Sequence, residues 1–219
     1  MQRKTVINSH KSIIFLNGEL PSDAFLDLIN TDVPLIACDG AANRMSLEPT
    51  YTIGDFDSIS AQLEKVNVIE AADQNYTDFE KCLSFVKEEK LAPVLILGVN
   101  GGEVDHIIGN AQVMAKHGAD VPCYFLDSYA NGIKLGLPLV EHLSFNAQVG
   151  ATISIIPFET TCLTTKGLKW ELCNDVLCCK GTLGLRNEAA VEQIDIDVKF
   201  GHGVIIIDLG LTLLKGKLL

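Results

Sequence analysis

The sequence predicts an α/β fold: an N-terminal α/β domain with a largely parallel sheet, followed by a C-terminal antiparallel β-sandwich domain. Three observations predict it. Over residues 12–126, short apolar runs alternate with amphipathic segments, which is the rhythm of β-α repeats. After Tyr129 the rhythm changes to apolar runs separated by Gly, Asn and Pro turns, without a helical period. The chain has 219 residues, 47% hydrophobic and 21% charged, an ordinary globular balance in a length between one large domain and two small ones, so the change of rhythm decides the division. The expected division is 1–130 for the α/β domain and 131–219 for the sandwich.

In the first half the strand candidates are residues 13–16, 34–38, 67–69, 94–97 and 122–126, with a short, weaker run at 51–53. Helix candidates lie between them at 22–29, 40–46, 77–90 and 105–117. The clearest is 77–90. Thr77 and Glu80 form a T-x-x-E capping box, and Phe79, Leu83 and Val86 make an apolar stripe at helical spacing. In the second half, runs at 151–156, 167–172, 191–198 and 203–208 are read as strands.

The formal net charge of −11 gives a field that repels the phosphate backbone, so nucleic acid is not an expected partner. A small polyphosphate is compatible with such a charge when divalent cations sit between carboxylates and phosphate oxygens. Seven cysteines form no C-x-x-C pair and have no matching histidine spacing, which argues against zinc. Their odd number argues against a complete disulfide framework and fits a reducing, cytoplasmic setting. The apolar run before Asn17 is too short for a signal peptide or a membrane span.

In an α/β sheet, ligands bind outside the carboxyl ends of the strands. Acids cluster there in this sequence. Asp39 stands in A-C-D-G-A-A-N-R, Asp55 and Asp57 in I-G-D-F-D-S, Asp73 and Asp78 in D-Q-N-Y-T-D-F-E-K, and Asp105 in G-V-N-G-G-E-V-D-H. Such acids repel one another without a cation. Asp55 and Asp57, two apart, can face one side while Phe56 packs on the other; the stretch G-D-F-D-S also reads as a simple turn. Asp78 and Lys81 share a helix face, so one can reach a metal and the other a phosphate, or the pair can merely stabilise the helix start. Asn100, Gly101 and Gly102 precede a helix opening with Asp105 and His106, where backbone amides can meet an anion. The G-K-[ST] ending of a P-loop is missing. His106 taken alone reads as a cap or packing residue, and Trp170 as core or interface.

Read together, D-G-A-A-N-R, G-D-F-D-S-I, D-Q-N-Y-T-D-F-E-K-C-L and G-G-E-V-D-H-I-I-G-N resemble the thiamine pyrophosphokinase family in order and spacing. G-L-K-W-E-L and R-N-E resemble that family's C-terminal part. The resemblance implies transfer of the terminal pyrophosphoryl group of ATP to the hydroxyethyl oxygen of thiamine, giving thiamine diphosphate and AMP, with Mg²⁺ required. It also implies a homodimer with its active sites in clefts between subunits. Carried over by motif, Asp55, Asp57, Asp78 and Asp105 are the catalytic acids that hold Mg²⁺ and polyphosphate. Asp39, Asn43, Arg44, Thr77, Lys81, Gly102 and His106 fall on the ATP side, and Gln74, Arg186 and Asn187 on the thiamine side. Four positions depart from the family pattern: Ala41, Asn75, Glu103 and Arg186. The residues also suit two other readings. D-x-D-S after a strand also suits a phosphatase with an aspartyl-phosphate intermediate, and the charge changes at Glu103 and Arg186 suit a nucleotide sensor without turnover.

Overall fold

The computed structural model describes residues 9–55, 67–70, 73–129 and 132–210. Six strands, β1 (Ser12–Phe15), β2 (Leu35–Cys38), β3 (Tyr51–Gly54), β4 (Asn67–Glu70), β5 (Val94–Leu97) and β6 (Cys123–Tyr129), pair in parallel in the order β4-β3-β2-β1-β5-β6. Their side chains alternate between two cores. Ile13, Phe15, Leu35, Ala37, Leu95 and Leu97 enter one; Ile14, Leu16, Ile36, Cys38, Val94 and Ile96 enter the other. Parallel strands covered on both faces have no polar side to show, so these segments read as unbroken apolar runs. α1 (Asp23–Leu26) supplies Phe25 and Leu26 to the first core. α2 (Asp78–Glu88) and α3 (Val104–His117) cover the second through Phe79, Leu83 and Val86, and through Val113 and Met114.

The remaining strands are β7 (Gly132–Pro138), β8 (His142–Asn146), β9 (Thr152–Pro157), β10 (Thr161–Lys166), β11 (Asp175–Leu177), β12 (Gly184–Glu188), β13 (Gln193–Phe200) and β14 (Gly203–Gly210). β7 pairs antiparallel with β6, and β14, β9 and β12 follow outward, so the parallel sheet continues into one sheet of ten strands. The other four form an antiparallel sheet in the order β11-β10-β13-β8. Ile153, Ile155, Ile205 and Ile207 of the large sheet share a core with Leu163, Ile194 and Ile196 of the small one. Each fully buried side chain of this kind contributes about 1.5–3 kcal/mol. A ladder hydrogen bond contributes a net of about 1 kcal/mol, so this seam is what binds the two layers.

Three expected segments differ in form. The helix at 22–29 is the single turn α1, and that at 40–46 is a 3₁₀ turn, Asp39–Asn43. Residues 167–172 are not a strand. Glu171 turns its carboxylate back on the segment, accepting from the backbone N–H of Gly167 (2.6 Å) and Leu168 (3.1 Å) and from Thr165 Oγ1 (2.7 Å). Side-chain bonds thereby take two of the donors a ladder would use and leave an isolated bridge between Leu168 and Ala189, with Gly167 (φ 97°) making the turn.

α2 begins as its capping box predicts. Thr77 Oγ1 accepts from Glu80 N (3.2 Å), and Thr77 N donates to Glu80 Oε2 (3.0 Å). Glu80 is itself buried, and its Oε1 accepts from Lys116 Nζ (2.8 Å) and meets His117 Nε2 at 3.1 Å. Burial opposes its charge, yet the bonds from Lys116, Thr77 and His117 outweigh that and hold its pKa at about 2. α2 is thereby tied at its first turn to the last turn of α3.

Candidate active site

β1 leads to β2 on one side, and after β4 the chain crosses to β5 on the other side of β1. Strand order therefore reverses between β1 and β5, and the crevice beyond their carboxyl ends is where such a sheet binds ligands. Asp39 follows β2 directly and sits at φ 43°, a left-handed conformation that Asp tolerates better than most residues. Gly54 closes β3 against it. A Cβ on Gly54 would stand 2.9 Å from Asp39 Cβ and 3.0 Å from its Oδ1, so only glycine lets the two segments approach this closely. Asp55 comes next in the chain, and Asp78 opens α2.

One carboxylate oxygen from each of Asp39, Asp55 and Asp78 lies within 4.8 Å of the others, and all three residues are half-buried. Two like charges about 4 Å apart repel by about 4 kcal/mol at an effective dielectric near 20. Lys81, with 8% of its side chain exposed, donates from Nζ to Asp78 Oδ1 at 2.8 Å. Burial works against its ammonium, but the bond to Asp78 and the charges of Asp78, Asp55 and Asp73 raise its pKa above the ordinary value. One lysine offsets part of three negative charges. Hard carboxylate oxygens at this spacing suit a divalent ion such as Mg²⁺.

The other expected residues are distributed around this group. Gln74 Nε2 donates to Asp55 Oδ2 (3.1 Å). Arg44 Nη1 donates to Asn17 O (3.0 Å) and Oδ1 (3.3 Å), bridging the ends of β1 and the 3₁₀ turn, and Asn43 stands exposed beside it. The Thr77 hydroxyl is engaged in the helix cap. Asp105 and His106 are exposed at the start of α3, where Asp105 Oδ1 accepts from His106 N (2.9 Å); Asp105 is outside the group of three acids. Gly102 (φ 74°) has no atom within 4 Å of where its Cβ would stand. Asp57 and Phe56 lie outside the described residues.

In the sandwich, Asn187 is buried on β12. Its Nδ2 donates to Trp170 O (2.7 Å), and its Oδ1 accepts from Trp170 N (3.2 Å) and Glu188 N (2.8 Å). Trp170 is held by its backbone while the residue stays 57% exposed, with Lys169 Nζ 4.9 Å from the ring centroid. Arg186 occupies a bulge in β12 at φ 57°, its N–H donating to Ser154 Oγ (3.0 Å). Burial works against the Asp208 carboxylate, but bonds from Lys134 and Gly210 N and the charges of Lys134 and Arg186 hold its pKa low. Among the described residues Arg186 and Glu103 form no ion pair.

Two family models match the chain. One, described as "Thiamin pyrophosphokinase, catalytic domain", covers residues 25–125; the other, "Thiamin pyrophosphokinase, vitamin B1 binding domain", covers residues 142–205. The chain belongs to the thiamin pyrophosphokinase family. It is 28% identical over 203 residues to "Thiamin pyrophosphokinase 1" of Caenorhabditis elegans, an alignment spanning 83% of this chain and 82% of the relative. It is 30% identical over 150 residues to "Thiamine pyrophosphokinase" of Bacillus subtilis, covering 64% and 69% of the two chains. The crystal structure of the B. subtilis thiamine pyrophosphokinase superposes with a TM-score of 0.72 at 23% identity, over 92% of this chain and all of that one (100%), and so supports the fold.

Membership of the thiamin pyrophosphokinase family makes the chain a transferase and leaves no reason to retain the phosphatase reading. The α/β and sandwich layers agree with the expected fold class. Asp39, expected on the ATP side, stands against Asp55 and Asp78. Asn17, just beyond β1, is not among the expected residues, although the strand-end rule points to it. The contact of Glu80 with Lys116 and His117 leaves no local trace in the sequence, because it depends on how α2 and α3 pack.

The approach of Gly54 to Asp39 generates a prediction. Gly54→Ala should retain the native circular dichroism spectrum while lowering kcat by about tenfold or more, because a misplacement of this size is costly to aligned reactants. A kcat equal to that of the unaltered protein would remove Asp39 from the site.

Proposed function

We propose that the chain transfers the pyrophosphoryl group of ATP to the hydroxyethyl oxygen of thiamine, giving thiamine diphosphate and AMP, with Mg²⁺ held by Asp39, Asp55 and Asp78. Asp57 and Asp105 are assigned to the same polyphosphate site on motif alone. The observation that carries this reading is the convergence of three half-buried carboxylates and a buried lysine at the switch-point crevice of a thiamin pyrophosphokinase-family chain. When bound, the metal neutralises charge on the polyphosphate oxygens.

The chain's own residues do the rest. Lys81, kept charged by its acidic neighbours, offers a fixed cation to a phosphate oxygen. Asn43, Arg44, Thr77, Gly102 and His106 are assigned to the ATP side of the crevice. Gln74 is assigned to thiamine, with its amide oriented by Asp55. The thiamine oxygen attacks the β-phosphorus as the bond from that phosphorus to the bridging α-β oxygen breaks, and AMP leaves with that oxygen. Asp78 is our choice as acceptor of the hydroxyl proton. Positioning supplies most of the acceleration, since the reaction needs in-line alignment rather than a covalent enzyme intermediate.

We also propose a homodimer. Arg186 and Asn187 are assigned to the thiamine side, and Trp170, held by Asn187, stands exposed beside them, yet β12 is seven strands from β2 across the large sheet. At roughly 4.8 Å per strand that is about 34 Å, too far for one thiamine to bridge. A second copy can bring its sandwich to the first copy's acids. The half-exposed Trp170, Leu183 and Leu185 give it an apolar surface to bury. No helix among the described residues is long and apolar enough to cross a membrane. We assign the protein to the cytoplasm, where seven free thiols stay reduced.

Release of AMP from ATP should require both thiamine and Mg²⁺, vanish in EDTA and return when Mg²⁺ is restored. Full turnover in EDTA would contradict the metal assignment, and AMP release indifferent to thiamine would contradict the substrate assignment. The shared site has its own test. Asp78→Asn and Trp170→Ala, each inactive alone, should regain about a quarter of normal activity when unfolded together and refolded, because half the dimers are hybrids with one intact site. No recovery in a mixture shown to contain hybrids would place the whole site in one chain.

A further inference from the structure

Residues 73–78 supply Gln74 and Asp78 to the crevice, and the segment is tethered at nearly every residue. Asp73 Oδ1 accepts from Asn75 N (2.9 Å) and Asn75 Nδ2 (2.8 Å), which makes the Asn at this position part of a local turn. Gln74 binds Asp55, Thr77 is capped by Glu80, and Asp78 holds Lys81. Tyr76 lies with its ring centroid 6.0 Å from Lys116 Nζ. Lys116 therefore reaches the segment twice, once over Tyr76 and once through Glu80.

A capping box needs only the Thr77–Glu80 exchange, and a glutamate at this position commonly keeps its second oxygen in water. Here Glu80 is 7% exposed, and its second oxygen is taken by Lys116 and His117, 36 and 37 residues further along the chain. Lys116 and His117 stand in the last turn of α3, at the opposite end of that helix from Asp105 and His106. A buried carboxylate bonded on both oxygens has one low-energy geometry, and it carries the start of α2 with it.

We infer that Glu80 is a positioning residue for the reaction: through Lys116 and His117 it anchors residues 73–78 to α3, so that Gln74 and Asp78 stay directed at Asp55 and Asp39. This rests on the reading of the acids as the metal-polyphosphate site. Glu80 touches no reacting atom in that reading and acts through the segment it holds. A positional error of about 1 Å is enough to cost up to 10²-fold in such a site.

Two variants separate the parts. Glu80→Ala removes the anchor and half of the cap, whereas Lys116→Ala alters a side chain that is 61% exposed, leaves the cap intact and removes one of the two bonds from α3, the contact with His117 Nε2 being kept. Both are expected to lower kcat and to raise the Mg²⁺ concentration for half-maximal AMP release, about tenfold or more for Glu80→Ala and in the same direction for Lys116→Ala. Amide hydrogen exchange should speed up over residues 73–78. Glu80→Gln should recover part of the loss, since its amide oxygen can still accept from Thr77 N. As a control, Ile194→Val in the sandwich core should lower Tm without altering kcat or the Mg²⁺ requirement. Folded Glu80→Ala and Lys116→Ala proteins with unaltered kcat, Mg²⁺ requirement and exchange over 73–78 would overturn the inference, as would a lowered Tm alone. If the unaltered protein released no thiamine-dependent AMP, the functional reading would fail instead, and the exchange over 73–78 would still decide whether Glu80 anchors the segment.

Discussion

Three carboxylates within 4.8 Å of one another are the constraint to which the rest of this molecule answers. Their repulsion amounts to several kcal/mol, comparable with the stability of a whole domain. No single local segment would adopt such an arrangement unaided. It is imposed by three pieces of chain from different elements: the turn after β2, the end of β3 and the start of α2. Each piece carries a feature that fits this arrangement. Asp39 accepts a left-handed backbone, Gly54 gives up a side chain, and Asp78 heads a helix with a buried lysine one turn on. Lys81 offsets only part of the charge of these three acids.

The sheet supplies the rigidity this needs. β1, β2, β3 and β5 are buried on both faces, so their ends are fixed by packing on two sides at once. The polar residues just beyond them inherit that fixity. The same sheet runs on through β6 and β7 into the sandwich, which couples the catalytic half of the chain to the half that carries Trp170 and Asn187. Asn187 is spent on holding Trp170 rather than on facing solvent, so one buried amide determines where the exposed ring stands.

Much of this was legible in the residues, and the reasons differ by element. α2 could be read almost to the residue because a capping box and an apolar stripe are both local signals. The parallel strands could be read because burial on two faces leaves an unbroken apolar run. Residues 167–172 misled, since their apolar content suggested a strand while Glu171 captured the backbone donors that a strand would have used. The acids were found one by one from their place after strands, but their grouping was only partly foreseen. Which carboxylates meet depends on Gly54 lying against Asp39, a tertiary contact with no periodic trace in sequence. Glu80 was hidden for the same reason, its second set of partners being 36 and 37 residues away. Arg186 shows the limit from the other side: its bulged backbone is plain in the fold, whereas its sequence context gave only a departure from a pattern.

The account depends most on Asp39, Asp55 and Asp78 acting together as a cation site. Mn²⁺ shares the preference of Mg²⁺ for oxygen ligands and is visible by electron paramagnetic resonance. A titration of the nucleotide-free protein with Mn²⁺ should show a bound ion whose affinity falls about tenfold or more in Asp39→Asn and in Asp55→Asn, and stays unchanged in Glu103→Gln, an exposed acid outside the group. Equal Mn²⁺ affinity in the unaltered protein and in Asp39→Asn would contradict the account.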